Sequence, residues 1–250
     1  MGNTLFKHIF FEEIDSTSSY LIKEHNNLEN FTFVSANYQS KGKGREDRQW
    51  ISVKGTNLLF SFLIKNKDLI REYASISLFC AAKLAEFLIS LAIDGVQIKW
   101  PNDVYIKGKK VAGILLEGNV NEYIVVGIGF NINQDFFPNN LHHPATSLYL
   151  ESGTKFDLEV LKEKLFKHFY EELKLQNIQE RHYLKLINDL DFLKGKTIFV
   201  THNNQKICVK AVGISDDNSL VVEYKNERIN IISGEVEFEE YEPRSRTISY

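Results

Sequence analysis

Apolar and polar positions along the chain fall into three textures. Residues 8–14 alternate and are rich in aromatics, which predicts a first strand. Asp15-Ser16-Thr17-Ser18-Ser19 follows, where Asp15 or Ser16 can cap a short helix carrying Tyr20, Leu21 and Ile22. Residues 31–38 read as a second strand ended by Gln39, and residues 56–64 as a third. From Asp68 to about Ile93 the apolar residues are too dense for a surface helix, so one buried helix packed on a sheet is predicted. Residues 96–100, 104–106, 111–116 and 123–132 are β-prone, and 133–153 is an irregular loop with Pro138 and Pro144. In the second texture, Asp157 starts an amphipathic helix with Leu158, Leu161, Leu165, Phe169 and Leu173 on one face, and residues 183–190 continue as helix. The third texture begins at Lys194-Gly195. Short β-runs at 197–200, 206–214, 219–224, 228–232 and 235–238 are joined by Asn203-Asn204, Asp216-Asp217-Asn218 and Lys225-Asn226, which predicts a small antiparallel β-barrel. The expected organisation is α+β: a mixed, mainly antiparallel central sheet flanked by helices in residues 1–193, and the barrel in 194–250.

Composition narrows the class. A chain of 250 residues that is 43% hydrophobic and 25% charged is ordinary globular material, with no reason to be disordered. A formal net charge of -3 gives no general pull toward nucleic acid or an anionic membrane. The two cysteines, Cys80 and Cys208, lie far apart in apolar segments, which speaks for a reduced, cytoplasmic protein and against a zinc site. Neither a signal peptide nor a run of transmembrane length is apparent, and the Met1-Gly2-Asn3 start carries no second anchoring signal.

Candidate chemistry concentrates in residues 99–118, KWPNDVYIKGKKVAGILLEG. Pro101 pushes Trp100 toward an extended conformation, Asn102-Asp103 is a turn pair, and Gly108 suits a tight hairpin. The hairpin carries an aromatic (Trp100), a carboxylate (Asp103) and a lysine (Lys110), and Gly113 leaves backbone open beside them. A buried tryptophan, a polar turn and a solvated lysine hairpin would explain the same pattern. A second stretch, residues 40–50, has two glycines, four basic residues and no apolar residue before Trp50. It reads as a mobile loop, either a solvated surface segment or a flap that closes over an anion; the G-K-[ST] ending of a P-loop is absent. The hydroxyls of residues 16–19 are a plain helix cap, or a pocket for a small polar head group helped by free helix N–H groups.

Three blocks, in order, resemble the biotin–protein ligases: DSTSSY at 15–20, YQSKGKGREDRQW at 38–50, and KWPND…KKVAGILLEG followed by VGIGFNIN. The likeness covers residues 8–150, and the C-terminal barrel fits the family's small appended domain in architecture alone. The resemblance implies a class II synthetase-like catalytic core and ATP-dependent joining of biotin, through biotinoyl-5'-AMP, to a lysine of a carboxylase's biotin carboxyl carrier domain. By the same resemblance Ser16, Thr17, Ser18 and Gln39 would line the ureido pocket, and Lys43, Gly44 and Arg45 would close over biotin and the adenylate, with Trp50 at the pocket. Lys110 would sit near the biotin carboxylate and the α-phosphate, and Gly113 and Leu115 would flank biotin. Arg45, Lys110 and Asn131 would contact ATP, with Mg²⁺ on the phosphates near Asn131, and Asp103 would lie at the point of lysine attack. The catalytic set is then Lys110, Arg45 and Asp103. With the first strand starting so early, the expectation is the monofunctional form without the family's DNA-binding extension, as a monomer or homodimer.

Two departures stand out. Glu46-Asp47 replaces a basic residue and a glycine after the loop arginine, which should stiffen the loop, weaken its positive field and pair Arg45 and Arg48 with the acids when the loop is open. Ser18 stands where many members have asparagine. Two other functions compete. A lipoate–protein ligase shares the adenylation logic but not KWPND with a KGKG-type loop. A nucleic-acid binder is disfavoured by the net charge and by acids within the basic loop.

Overall fold

The computed structural model describes residues 5–238 apart from 47, 139, 140, 142, 176, 177, 203 and 204. Asp47, the Asn203-Asn204 turn, the Met1-Gly2-Asn3 start and the tail from Pro243 therefore lie outside the described residues. The chain divides into two compact units, Met1–Phe192 and Leu193–Tyr250.

The first unit is built on a seven-stranded sheet in the order β1-β2-β3-β7-β6-β5-β4. Its strands are β1 (His8–Phe11), β2 (Phe33–Ala36), β3 (Leu58–Ile64), β4 (Val96–Lys99), β5 (Asp103–Ile106), β6 (Lys109–Asn119) and β7 (Tyr123–Phe130). Only β1 and β2 run parallel; the other neighbours are antiparallel. The β5–β6 turn is two residues, Lys107 and Gly108, with φ of 48° and 78°. Two positive φ values suit the right-handed twist of a hairpin, which is why glycine occupies the second site.

Strand alternation gives the sheet two different faces. Phe33, Phe60 and Phe62 point to one face, where Phe166 and Phe169 of α5 (Leu158–Lys174) pack against them with ring centroids 4.7–6.2 Å apart. Asp157 caps α5 by accepting from Glu159 N and Val160 N. α3 (Tyr73–Ser90) lies beside α5, with Phe79 and Leu84 wholly buried. α3 is long and apolar enough to cross a membrane, yet two-thirds of it is buried inside the protein. On the opposite face α1 (Thr17–Glu24) buries Leu21 with Val34, Leu63 and Val125.

Three expectations change. The single helix over 68–93 is two, α2 (Lys67–Arg71) and α3, because Glu72 leaves helical geometry (φ -88°, ψ 22°) and its carbonyl accepts from Ser75 N and Ile76 N. Apolar density does not encode such a break. The 133–153 loop contains α4 (Leu148–Ser152), capped by Ser147 and closed by Gly153 at φ 73°; five residues are too short for a periodic signal. α6 (Tyr183–Asp189) completes the unit.

The second unit is an antiparallel sheet in the order β11-β10-β9-β8-β12, formed by β8 (Thr197–His202), β9 (Gln205–Ile214), β10 (Leu220–Tyr224), β11 (Glu227–Ile231) and β12 (Val236–Phe238). Ile198, Val200, Val209, Leu220, Val222, Ile231 and Val236 are buried in this unit. The third change is here, since the expected barrel is not closed: among the described residues no ladder joins β11 to β12. Alternation specifies which face is buried, whereas closure depends on tilt and stagger across all the strands.

Candidate active site

Register across the first sheet builds the site. Lys99, Asp103, Gly113, Gly129, Leu59 and Ala36 pair in one continuous row from β4 to β2. Directly paired residues share a face, so the row places a cation, an anion and two glycines side by side on the α1 face. The next row is Leu115, Gly127, Ser61 and Val34. The glycines make the floor of a slot. A Cβ added at Gly129 would lie 2.3 Å from the Trp50 ring, and one at Gly127 would lie 2.6 Å from Ser18 Oγ. A Cβ at Gly113 would meet Lys110 Nζ at 2.9 Å and Trp50 at 3.1 Å.

One end of the slot is neutral and polar. Gln39 Oε1 accepts from Thr17 N at 2.7 Å and from Thr17 Oγ1 at 2.9 Å. Ser61 Oγ lies 2.7 Å from Thr17 Oγ1 and 2.9 Å from Ser18 Oγ. These hydroxyls can each donate or accept, which suits a ligand bearing both N–H and C=O groups. Ser16 is spent differently: its Oγ accepts from Ser19 N at 3.3 Å as the cap of α1.

The other end is charged. Lys110 Nζ stands 2.7 Å from Asp103 Oδ1, an ion pair without good hydrogen-bond geometry. It also stands 5.6 Å from the centre of the Trp50 ring. Plain alternation would point Lys110 away from Gly113. A β-bulge between the pairs Val104–Ala112 and Tyr105–Lys110 inserts one extra residue and turns Lys110 onto the slot face. Segment 144–146 holds it there: Lys110 N donates to Pro144 O and Thr146 N donates to Lys110 O, both at 2.8 Å. Asn131 joins this network, its Nδ2 donating to Thr146 O at 3.0 Å, while its Oδ1 is buried without a partner.

The described residues of the basic loop pair across it. Trp50 N donates to Gly42 O at 3.0 Å, Gly44 N to Arg48 O at 2.6 Å, and Lys43 bridges Gln49. Contacts among the described residues dock it against the sheet. Lys43 Nζ meets Glu117 Oε1 at 2.8 Å, Arg45 Nη1 donates to Asn102 Oδ1 at 3.4 Å, and the Trp50 indole lies on the glycine floor with its Nε1 buried and unpartnered. Of the predicted acid pairs, Arg48 Nη2 lies 3.9 Å from Glu46 Oε2. Glu46 holds φ of 53°, a left-handed conformation that a non-glycine residue adopts at a cost.

Thr17, Ser18, Gln39, Trp50, Gly113 and Leu115 thus lie along the slot, and Lys110, Arg45 and Asp103 meet at its charged end. Asn131 is linked to Lys110 through segment 144–146, Gly44 shapes the loop backbone, and Lys43 faces Glu117. Lys99 is the functional candidate that sequence reasoning misses, although it opens the KWPND motif. Lys99 is 4% exposed, and its Nζ lies 3.1 Å from His143 Nε2. Burial pushes its pKa down to about 8; Asp103 opposes this, and Lys110, Arg48 and Arg45 add to it. Both of the predicted catalytic cations therefore stand near one buried point.

A model of the biotin/lipoate A/B protein ligase family matches residues 10–131. Biotin protein ligase from Aquifex aeolicus, solved with biotin and ATP, superposes with a TM-score of 0.80 at 30% identity over 92% of this chain and 97% of that one. The chain belongs to the biotin–protein ligase family. The bifunctional ligase/repressor BirA of Bacillus subtilis is 29% identical over 244 residues, which is 95% of this chain and 74% of the relative. The biotin–[acetyl-CoA-carboxylase] ligase of Paracoccus denitrificans is 34% identical over 125 residues, 47% of this chain and 51% of that protein. As a family member the chain is a ligase with the expected α+β fold.

Proposed function

We propose that this ligase activates the carboxylate of biotin with ATP as biotinoyl-5'-AMP, then passes the biotinoyl group to a lysine of a biotin carboxyl carrier domain. The polarity of the slot carries the reading. A neutral cluster of hydroxyls and an amide lies at the Gly127 end and converging cations lie at the Gly113 end. A ureido head on an apolar body with an anionic tail matches that sequence of environments. The Aquifex relative, solved with biotin and ATP, supports the choice of substrates.

In the first step a biotin carboxylate oxygen attacks the α-phosphorus and pyrophosphate leaves. Two anions must be brought together while charge grows on the phosphorus oxygens, and Lys110 and Arg45 are the fixed cations that offset it. Preset donors of this kind are each worth about 2.7–4 kcal/mol of barrier. Mg²⁺ would enter with the nucleotide, as MgATP. The open Oδ1 of Asn131 is the hard oxygen suited to face it or the nucleotide. The mixed anhydride is prone to hydrolysis, and the docked loop with Trp50 keeps water from it. In the second step a carrier lysine attacks the carbonyl carbon as a neutral amine, AMP leaves, and the nitrogen gives up one proton to Asp103 or to solvent. Asp103, 10% exposed at its side chain, orients the incoming amine.

The test is a mass-shift assay with biotin, ATP, magnesium and a generic biotinyl carrier domain, run beside lipoate. A biotinoyl-sized gain on the carrier supports the reading. Modification by lipoate alone would overturn it.

A further inference from the structure

α4 carries a carboxylate that neither half-reaction uses. The Glu151 side chain is 9% exposed, and a carboxylate withdrawn from water is costly unless it is bonded. Its bonding is specific. Thr146 Oγ1 donates to Glu151 Oε1 at 2.7 Å, Lys109 Nζ lies 3.5 Å from the same oxygen, and Lys107 Nζ lies 3.6 Å from Oε2. Both ammonium groups are half-exposed, so water screens them and they contribute little. The hydroxyl is the short partner, and Thr146 is wholly buried.

Thr146 in turn is bonded to Lys110. Thr146 N donates to Lys110 O and Lys110 N donates to Pro144 O, both at 2.8 Å, so Lys110 and Ala145 form a parallel bridge. Thr146 O also accepts from Asn131 Nδ2 at 3.0 Å. Lys110 depends on this bridge because it stands at the β-bulge, where the ladder to β5 is interrupted between Val104 and Tyr105. Ser147 caps α4 by accepting from Leu150 N, and that single turn brings residue 151 back onto residue 146. One carboxylate thus ties α4, the 144–146 segment and the β5–β6 turn together.

We infer that Glu151 is a positioning residue for adenylation: through Thr146 it fixes the bulged backbone of Lys110, and with it the place of the Lys110 ammonium. The inference rests on the ligase reading above and deepens it. Glu151 supplies geometry, not a proton. A cation preset toward growing charge loses its advantage if it must first be moved into place. A misplacement of ~1 Å costs on the order of 10²-fold in rate, and a loosened segment keeps part of its population in place, so a loss of about tenfold is expected. The working contact is the hydroxyl bond, so an amide oxygen in the same position should serve as well.

The experiment measures pyrophosphate release by the full chain with biotin, ATP and magnesium at saturation, beside titration calorimetry of biotin alone and thermal melts. Glu151→Ala should lower kcat about tenfold. Its biotin Kd should stay within about threefold of wild type, because the hydroxyl cluster that faces the head group belongs to α1 and β3. Glu151→Gln should return kcat to within about threefold of wild type, whereas Thr146→Val should lose as much as Glu151→Ala. The double variant Glu151→Ala/Thr146→Val should lose no more than either single one, since both break the same link. A kcat within about twofold of wild type in Glu151→Ala, additive losses in the double variant, or no rescue by Glu151→Gln would overturn the inference. So would a lowered melting temperature with unchanged kcat where the variant is fully folded, the mark of a merely structural contact. If Glu151→Ala does not fold, equal kcat in Glu151→Gln and Thr146→Val would overturn it instead. Failure of the wider reading looks different: wild type would then release no pyrophosphate with biotin and ATP.

Discussion

Gly129→Ala tests the slot most directly. The added methyl would stand 2.3–2.7 Å from three atoms of the Trp50 indole, well inside contact distance. The β7 backbone cannot yield, because Gly129 pairs with both Leu59 and Gly113 in the middle of the sheet. Trp50 belongs to the loop rather than to the sheet, so the ring should lift away and carry the loop with it. Overpacking a rigid core costs about 1–3 kcal/mol. With a movable partner the lower end applies, a fall in melting temperature of about 2–4 °C. Biotin binding should suffer far more, since the raised floor and displaced indole remove the same flat surface; a rise in Kd of about tenfold or more is expected. Titration calorimetry with biotin and tryptophan fluorescence read the two effects separately, as Trp100 is buried and stays put. A cycle with Trp50→Ala isolates the clash: the stability cost of Gly129→Ala should vanish without the indole, while biotin affinity stays low. Wild-type biotin affinity in Gly129→Ala, or an unchanged stability cost in the double variant, would refute the packing argument.

Other substitutions separate the roles at the charged end. Lys110→Met should slow adenylate formation about 10²–10³-fold, read by pyrophosphate release; a change under about threefold would remove Lys110 from the phosphate chemistry. Asp103→Asn should leave adenylation within a few-fold of wild type and impair transfer to the carrier domain. An equal loss in both half-reactions would mean that the carboxylate serves only to hold Lys110. Replacing Glu46→Arg together with Asp47→Gly should slow release of biotinoyl-AMP by restoring positive field and backbone freedom in the loop; equal release rates would dispose of that account. The exposed Arg48–Glu46 contact contributes under about 1 kcal/mol, so the stability of this pair of substitutions should hardly change.

Much of the protein is legible in its amino-acid order. Strand positions follow from alternation and β-branched runs, and α5 from its spacing and its Asp157 cap, because these are local consequences of side-chain direction. The motif residues Lys110, Arg45, Asp103 and Gly113 stand out because their wording resembles a family, a signal that carries no geometry. Expectation and structure part where local pattern has no voice: the break at Glu72, the short helix at 148–152 and the open edge of the second sheet.

The amino-acid order by itself determined which faces are buried, where the hairpin turns and which residue types are available for anion chemistry. Only the tertiary structure decided what those residues face. Register between strands far apart in sequence put Lys99, Asp103, Gly113 and Gly129 in one row, and a single extra residue in β6 swung Lys110 onto that side. Both are properties of pairing across the sheet. A one-residue slip would send every side chain in the row to the opposite face, so the site exists only through the long-range packing that sets the register.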